Sequence, residues 1–119
     1  MKKIIYPGTF DPIHNGHVDI AKRASIIFDE LIFVIAENPR KKPLFTTKER
    51  KMLVEKSVND IPNIKVKSTE KLVVEFALGE TAVAIIRGLR HVSDFEFEFQ
   101  MALMNYHLNP DISTMLMIP

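Results

Sequence analysis

The stretch KKIIYPGTFDPIHNGHVDIAKRASIIF, residues 2–28, decides the fold. Its apolar run at 2–6 is too short for a helix and is broken by Pro7 and Gly8. From about residue 16 the spacing changes: Val18, Ile20, Ala21, Ala24, Ile27 and Phe28 fall close to i, i+3, i+4, i+7 as far as residue 28. The reading is strand, loop, helix. The same alternation continues outward. Residues 31–36, LIFVIA, form a continuous apolar run suited to a strand buried on both faces of a parallel sheet. A helix follows over about 47–59, a strand over 64–67, a helix over 72–78 stopped by Gly79, a strand over 82–86, a helix ending near residue 108 and a strand over 113–118.

The segment DFEFEF, residues 94–99, alternates strictly, as a strand would. Ser93 with Glu96 three residues on has the form of a capping box, and Phe95, Phe99, Ala102, Leu103 and Tyr106 continue at helical spacing, so a helix is expected. Phe97, Met101, Met104 and Leu108 make its other side apolar too. A helix apolar nearly all round is expected to be buried on more than one face, and a subunit interface is one explanation.

Four β-α units closed by a fifth strand define an α/β, Rossmann-like, doubly wound five-stranded parallel sheet with helices on both faces. The chain of 119 residues has length for one domain, 1–119. A net charge of +1, from 16 Lys and Arg against 15 Asp and Glu, argues against a nucleic-acid-binding protein. The absence of Cys excludes disulfides, thiolate nucleophiles and thiolate zinc sites. No apolar run approaches the roughly 18–20 residues of a membrane span, so no membrane partner is expected. A cytoplasmic setting fits this composition.

Ligands of such sheets bind at the carboxyl ends of the strands. The loops there are residues 7–16, 37–45 and 87–92. The first carries His14 and His17 at a helix N-terminus, where free N–H groups and Gly16 favour an anion. Imidazoles there can donate hydrogen bonds to an oxygen gaining charge. No zincin pattern surrounds the pair, and no metal ligands are assigned. The third loop places Arg87 and Arg90 on either side of Gly88 and Leu89, and the second holds Arg40, Lys41 and Lys42. Singly, such cations are ordinary solvated charges. Gathered on one sheet edge, they form a site for several phosphates. There is no P-loop and no nucleophile elbow. A nucleotidyl transfer fits better, because an incoming phosphate already carries about −1.5 to −2 charges and attacks without a general base.

The stretch YPGTFDPIHNGH, residues 6–17, resembles the signature of the HxGH nucleotidyltransferase superfamily. Together with KKP at 41–43, IIRGLR at 85–90, DFEFE at 94–98 and MNYHL at 104–108, the whole chain resembles the phosphopantetheine adenylyltransferase family. The resemblance implies transfer of the adenylyl group of ATP to 4'-phosphopantetheine, giving dephospho-coenzyme A and diphosphate, with Mg2+. It also implies a cytoplasmic homohexamer. By the same resemblance His17 stabilises the transition state, and Thr9, Phe10, His14, His17, Gly88, Leu89, Arg90 and Glu98 meet ATP. Thr9, Lys41, Val73 and Arg87 meet the acceptor. Without it, Val73 reads as core and Glu98 as a solvated helix residue.

Members of that family continue past the fifth strand into a Ser-rich loop that binds ATP phosphates and then a helical segment. This chain stops at Pro119, so weak ATP affinity is expected of it. The alternatives are another adenylyl- or cytidylyltransferase of the superfamily, or a non-catalytic nucleotide-binding module.

Overall fold

Periodicity places the elements in the order observed: β1 (Lys3–Gly8), α1 (Asn15–Ile27), β2 (Glu30–Ala36), α2 (Thr47–Val58), β3 (Ile64–Thr69), α3 (Val73–Gly79), β4 (Ala84–Gly88), α4 (Val92–Leu108) and β5 (Ser113–Met117). The computed structural model of the chain describes residues 1–38 and 42–119. All strand pairs are parallel, in the order β3-β2-β1-β4-β5. The place of β2 in the sheet explains why residues 31–36 are apolar throughout. Leu31, Phe33 and Ile35 pack on one face with Ile20, Ala21 and Ala24 of α1 and Val54 and Val58 of α2. Ile32 and Val34 pack on the other with Val74 and Ala77 of α3. The doubly wound architecture read from the sequence is thus the one observed.

The differences lie at element ends and on one helix. β1 runs on through Pro7 and Gly8, which pair with Val34 and Ile35 of β2. A proline is tolerated in this central strand because the ladder to β4 stops at Ile4–Ala84 and Ile5–Ile85. β4 begins and ends two residues later than expected, which brings Arg87 into the strand. Gly79 is the last residue of α3 instead of the residue beyond it. α4 begins at Val92, and the carboxylate of Asp94 accepts from the His91 N–H at 3.2 Å, so the start is set two residues earlier than the Ser93–Glu96 pair implied.

The largest correction concerns burial of α4. Its buried residues are Glu98 and Asn105, with Asp94, Met101 and Ala102 half-buried beside them. Those five positions follow i, i+4, i+7, i+8, i+11 and form the face against the sheet. Phe95, Phe97, Phe99, Leu103, Met104, Tyr106 and Leu108 are exposed within the single chain. The inward face is thus largely polar, and the apolar residues read from the sequence lie mostly on faces that are uncovered within the chain.

Candidate active site

The parting of β1 and β4 after Ile5 and Ile85 opens a crevice at the point where strand order reverses. It contains a cavity of about 290 Å³ lined by Thr9, Phe10, His14, His17, Gly88, Arg90 and Glu98, among others. A second cavity, about 210 Å³, lies toward α3 and α4 and is lined by Val73, Ile85, Met101, Ala102, Asn105 and Thr114. Pro7, Gly8, Thr9, Arg87, Phe97 and Glu98 line both, so they form the wall between the two.

The turn that builds this wall is set by aromatic packing. Phe10 has φ 48°, in the left-handed region, a conformation that costs roughly 1–3 kcal/mol for a non-glycine residue. Its ring is held edge-on against Tyr6, His17 and Phe33 at centroid distances of 5.3, 4.9 and 5.1 Å. Gly8 makes this possible, since a Cβ there would stand 3.0 Å from the Phe10 ring. Tyr6 is buried, which pushes its hydroxyl up to about 12 and keeps it protonated.

The histidines are fixed by capping. His14 is the N-cap of α1: its Nδ1 accepts from the Gly16 N–H at 3.1 Å. The Nδ1 of His17 accepts from the His14 N–H at 3.1 Å. The helix N-terminus, read as presenting free N–H groups, is therefore partly satisfied by its own imidazoles, and the Gly16 N–H is taken. A neutral imidazole has one N–H, so with Nδ1 accepting, the proton sits on Nε2 in both rings. The rings stack at 3.7 Å. Burial, with His14, Arg90 and Arg87 adding to it, brings His17 down to about 4, and burial with Arg90 lowers His14 as well. Both are neutral donors at neutral pH. His14 Nε2 then meets Arg90 Nη1 at 3.2 Å, donor against donor.

Arg87 is tied down. Its Nε and Nη2 donate to the two oxygens of Glu98 at 3.0 and 2.8 Å, and its Nη1 donates to the Pro7 carbonyl at 2.7 Å. This bidentate pair bridges the parted strands and leaves two N–H groups of the fork for another acceptor. Glu98 is only 6% exposed, so its reading as a solvated helix residue is corrected. Gly88 leaves room for Ile20: a Cβ there would stand 2.5 Å from the Ile20 Cδ1. Leu89 is placed differently from its neighbours. It lines neither cavity and ties the loop to β5 through its N–H and the Met117 carbonyl, 2.9 Å. Val73 opens α3 and lines the second cavity. Lys41 and Arg40 lie outside the described residues.

Sequence reading passed over Asn105, Thr114 and Arg50, and gave Asp11 no role of its own. Asn105 is buried at 8% exposure, and Thr114 Oγ1 is buried with no hydrogen-bond partner among the described residues. These two bring polar atoms to an otherwise mostly apolar cavity. Asn105 had a usable signal, one polar residue at helical spacing from Glu98. Among the described residues no group of three or more His, Asp or Glu is placed to hold a metal ion.

The chain matches the family described as cytidylyltransferase-like over residues 5–119. It is 53% identical over 118 residues to a phosphopantetheine adenylyltransferase of Clostridium tetani, covering 99% of this chain and 74% of that protein. It is 50% identical over 119 residues to the phosphopantetheine adenylyltransferase of Opitutus terrae, covering 100% of this chain and 74% of the relative. Among solved structures it is similar to a lipopolysaccharide core biosynthesis protein from Thermoplasma volcanium, with TM-score 0.66, 22% identity, and coverage of 99% of this chain and 95% of that one. That last likeness carries the fold alone.

Proposed function

We propose, from the premise that the chain belongs to the phosphopantetheine adenylyltransferase family, that it transfers the adenylyl group of ATP to 4'-phosphopantetheine, giving dephospho-coenzyme A and diphosphate. One observation carries the reading in this molecule. Two cavities of opposite character, one rimmed by imidazole and guanidinium donors and one mostly apolar, share a wall at Thr9 and Arg87. A reaction that joins two substrates needs such a junction.

In this reading ATP lies in the polar cavity, on Thr9, the Phe10 backbone, His14, His17, Gly88 and Arg90, and Glu98 helps to place the nucleotide. Leu89 contributes from outside the cavity, through the backbone it fixes. The acceptor arm runs through the apolar cavity past Val73, where Asn105 and Thr114 offer partners to its amide groups. Its phosphate lies on the free edge of Arg87, with Lys41. An oxygen of that phosphate attacks the α-phosphorus of ATP, and the bond to the bridging oxygen breaks, so that diphosphate leaves with the electron pair. His17 Nε2–H donates to the α-phosphoryl oxygen as it gains charge. Because His17 is neutral and its tautomer is fixed by the His14 N–H, the donor is in place before reaction.

Magnesium fits this site as the counter-ion of the ATP phosphates. Mg2+ usually keeps water and phosphate ligands and needs few protein carboxylates. The carboxylates lining the polar cavity are Asp94, which accepts the His91 N–H, and Glu98, which is committed to Arg87. We further propose a homo-oligomer, a hexamer by family likeness, in which the exposed aromatic face of α4 is covered by another copy. No helix of the described residues is long and apolar enough to cross a membrane, and a cytoplasmic setting belongs to the same proposal.

The test is diphosphate release from ATP and Mg2+ with and without 4'-phosphopantetheine. Acceptor-dependent release is the expected result. Release with nicotinate mononucleotide or glycerol 3-phosphate in its place would assign the chain to another acceptor.

A further inference from the structure

Arg50 is the most deeply buried cation of the described residues, at 3% exposure, and no carboxylate among those residues lies within ion-pair distance of it. It also sits in the first turn of α2, where the helix dipole disfavours a positive charge. A buried, unpaired cation in that place needs compensation from hydrogen bonds. The guanidinium finds it on backbone oxygens of three separate segments. Nε donates to the Phe45 carbonyl at 3.1 Å, Nη1 to the Thr9 carbonyl at 2.9 Å and, more weakly, to Ala36 at 3.5 Å, and Nη2 to Thr47 Oγ1 at 3.0 Å. Asp11 works from the other side: its two carboxylate oxygens accept the N–H groups of Leu44 at 2.6 Å and Phe45 at 2.8 Å.

Phe45 is thus gripped at both ends, its N–H by Asp11 and its carbonyl by Arg50. The same Arg50 holds Thr9, the residue on the wall between the cavities. We propose that Arg50 and Asp11 are a pair of positioning residues that lock the Thr9 turn to the lead-in of α2, so that the groups of the two cavities stand in fixed register. Neither side chain lines either cavity. Both act through the backbone they hold. A planar fork reaching several carbonyls cannot be replaced by an ammonium, so Arg50→Lys keeps the charge and loses most of the geometry.

The role attached to that register rests on the adenylyl-transfer reading, and the experiment separates the two. Arg50→Lys, Arg50→Met and Asp11→Asn are compared with the parent chain in kcat, in KM for ATP and for 4'-phosphopantetheine, and in amide hydrogen exchange at Leu44 and Phe45. Misplacement of about 1 Å costs on the order of 100-fold in rate. The expected result is a kcat lower by roughly 10- to 100-fold with KM values within about threefold, Lys retaining more activity than Met, and at least tenfold faster exchange at Phe45. Parent-like kcat in Arg50→Lys, or a loss that follows only the fraction of unfolded protein, would overturn the proposal. A parent chain that releases no diphosphate with any acceptor would defeat the functional reading alone. Exchange at Phe45 then decides the clamp: faster exchange in Arg50→Lys and Asp11→Asn sustains it, and unchanged exchange refutes it.

Discussion

The first and last helices of the chain treat the same kind of apolar pattern in opposite ways. α1 buries Ile20, Ala21 and Ala24 on the sheet and presents its N-terminal imidazoles to the crevice. α4 buries Glu98 and Asn105 instead and turns Phe95, Phe99 and Tyr106 outward. The pattern of α1 is answered inside the chain. That of α4 is not, because its inward face is spent on the site: Glu98 holds Arg87, and Asn105 looks into the second cavity. An apolar period therefore says that a surface is to be covered, but not by which molecule.

The sharpest way to break this comparison is at the imidazole end of α1. His17→Ala removes a donor aimed at the reacting phosphate, and kcat should fall about 100- to 1000-fold with little change in ATP affinity. Steady-state kinetics with isothermal titration would show it, and equal turnover in the two proteins would end the role. On α4, Glu98→Ala strips a two-pronged partner from Arg87 and should lower kcat/KM roughly tenfold or more. It should also lower stability by about 1–3 kcal/mol in denaturant unfolding.

A smaller effect comes from pH. The folded value of His17, about 4, lies below the ordinary 6.5, so the unfolded chain binds more protons between those limits. The stabilisation is full above pH 6.5 and is lost as pH falls toward 4. His17→Asn should flatten that part of the stability profile, and an unchanged slope would assign the loss to other groups. The smallest effect on the protomer belongs to the outward face of α4. Leu103→Glu should alter protomer stability by no more than about 0.5 kcal/mol, as for other exposed positions, while shifting sedimentation from oligomer to monomer. Unfolding of the variant would mean that the face is core after all.

The succession of elements and the two helical layers were legible because the apolar runs are short, regular and punctuated, and LIFVIA admits no one-sided strand; the order of strands across the sheet was not read. The residues gathered at the crevice were legible for the same reason: topology alone brings the loops at 7–16 and 87–92 together. Their internal wiring was not. That His14 caps its own helix, that Glu98 is buried against Arg87, and that Arg50 serves backbone oxygens depend on side-chain directions that spacing does not contain. The inward face of α4 was misjudged on one further ground. Its buried members are polar, and a hydrophobicity count selects against them.

Because the ladder between β1 and β4 ends before the crevice begins, no backbone hydrogen bond of the sheet has to break to admit a ligand. Association is then governed by diffusion and long-range attraction instead of by an opening step. With Arg87 and Arg90 lining the crevice, the association rate constant for an anionic nucleotide should fall as ionic strength rises, while the dissociation rate constant changes far less. Stopped-flow traces that show a concentration-independent phase would reveal a gate.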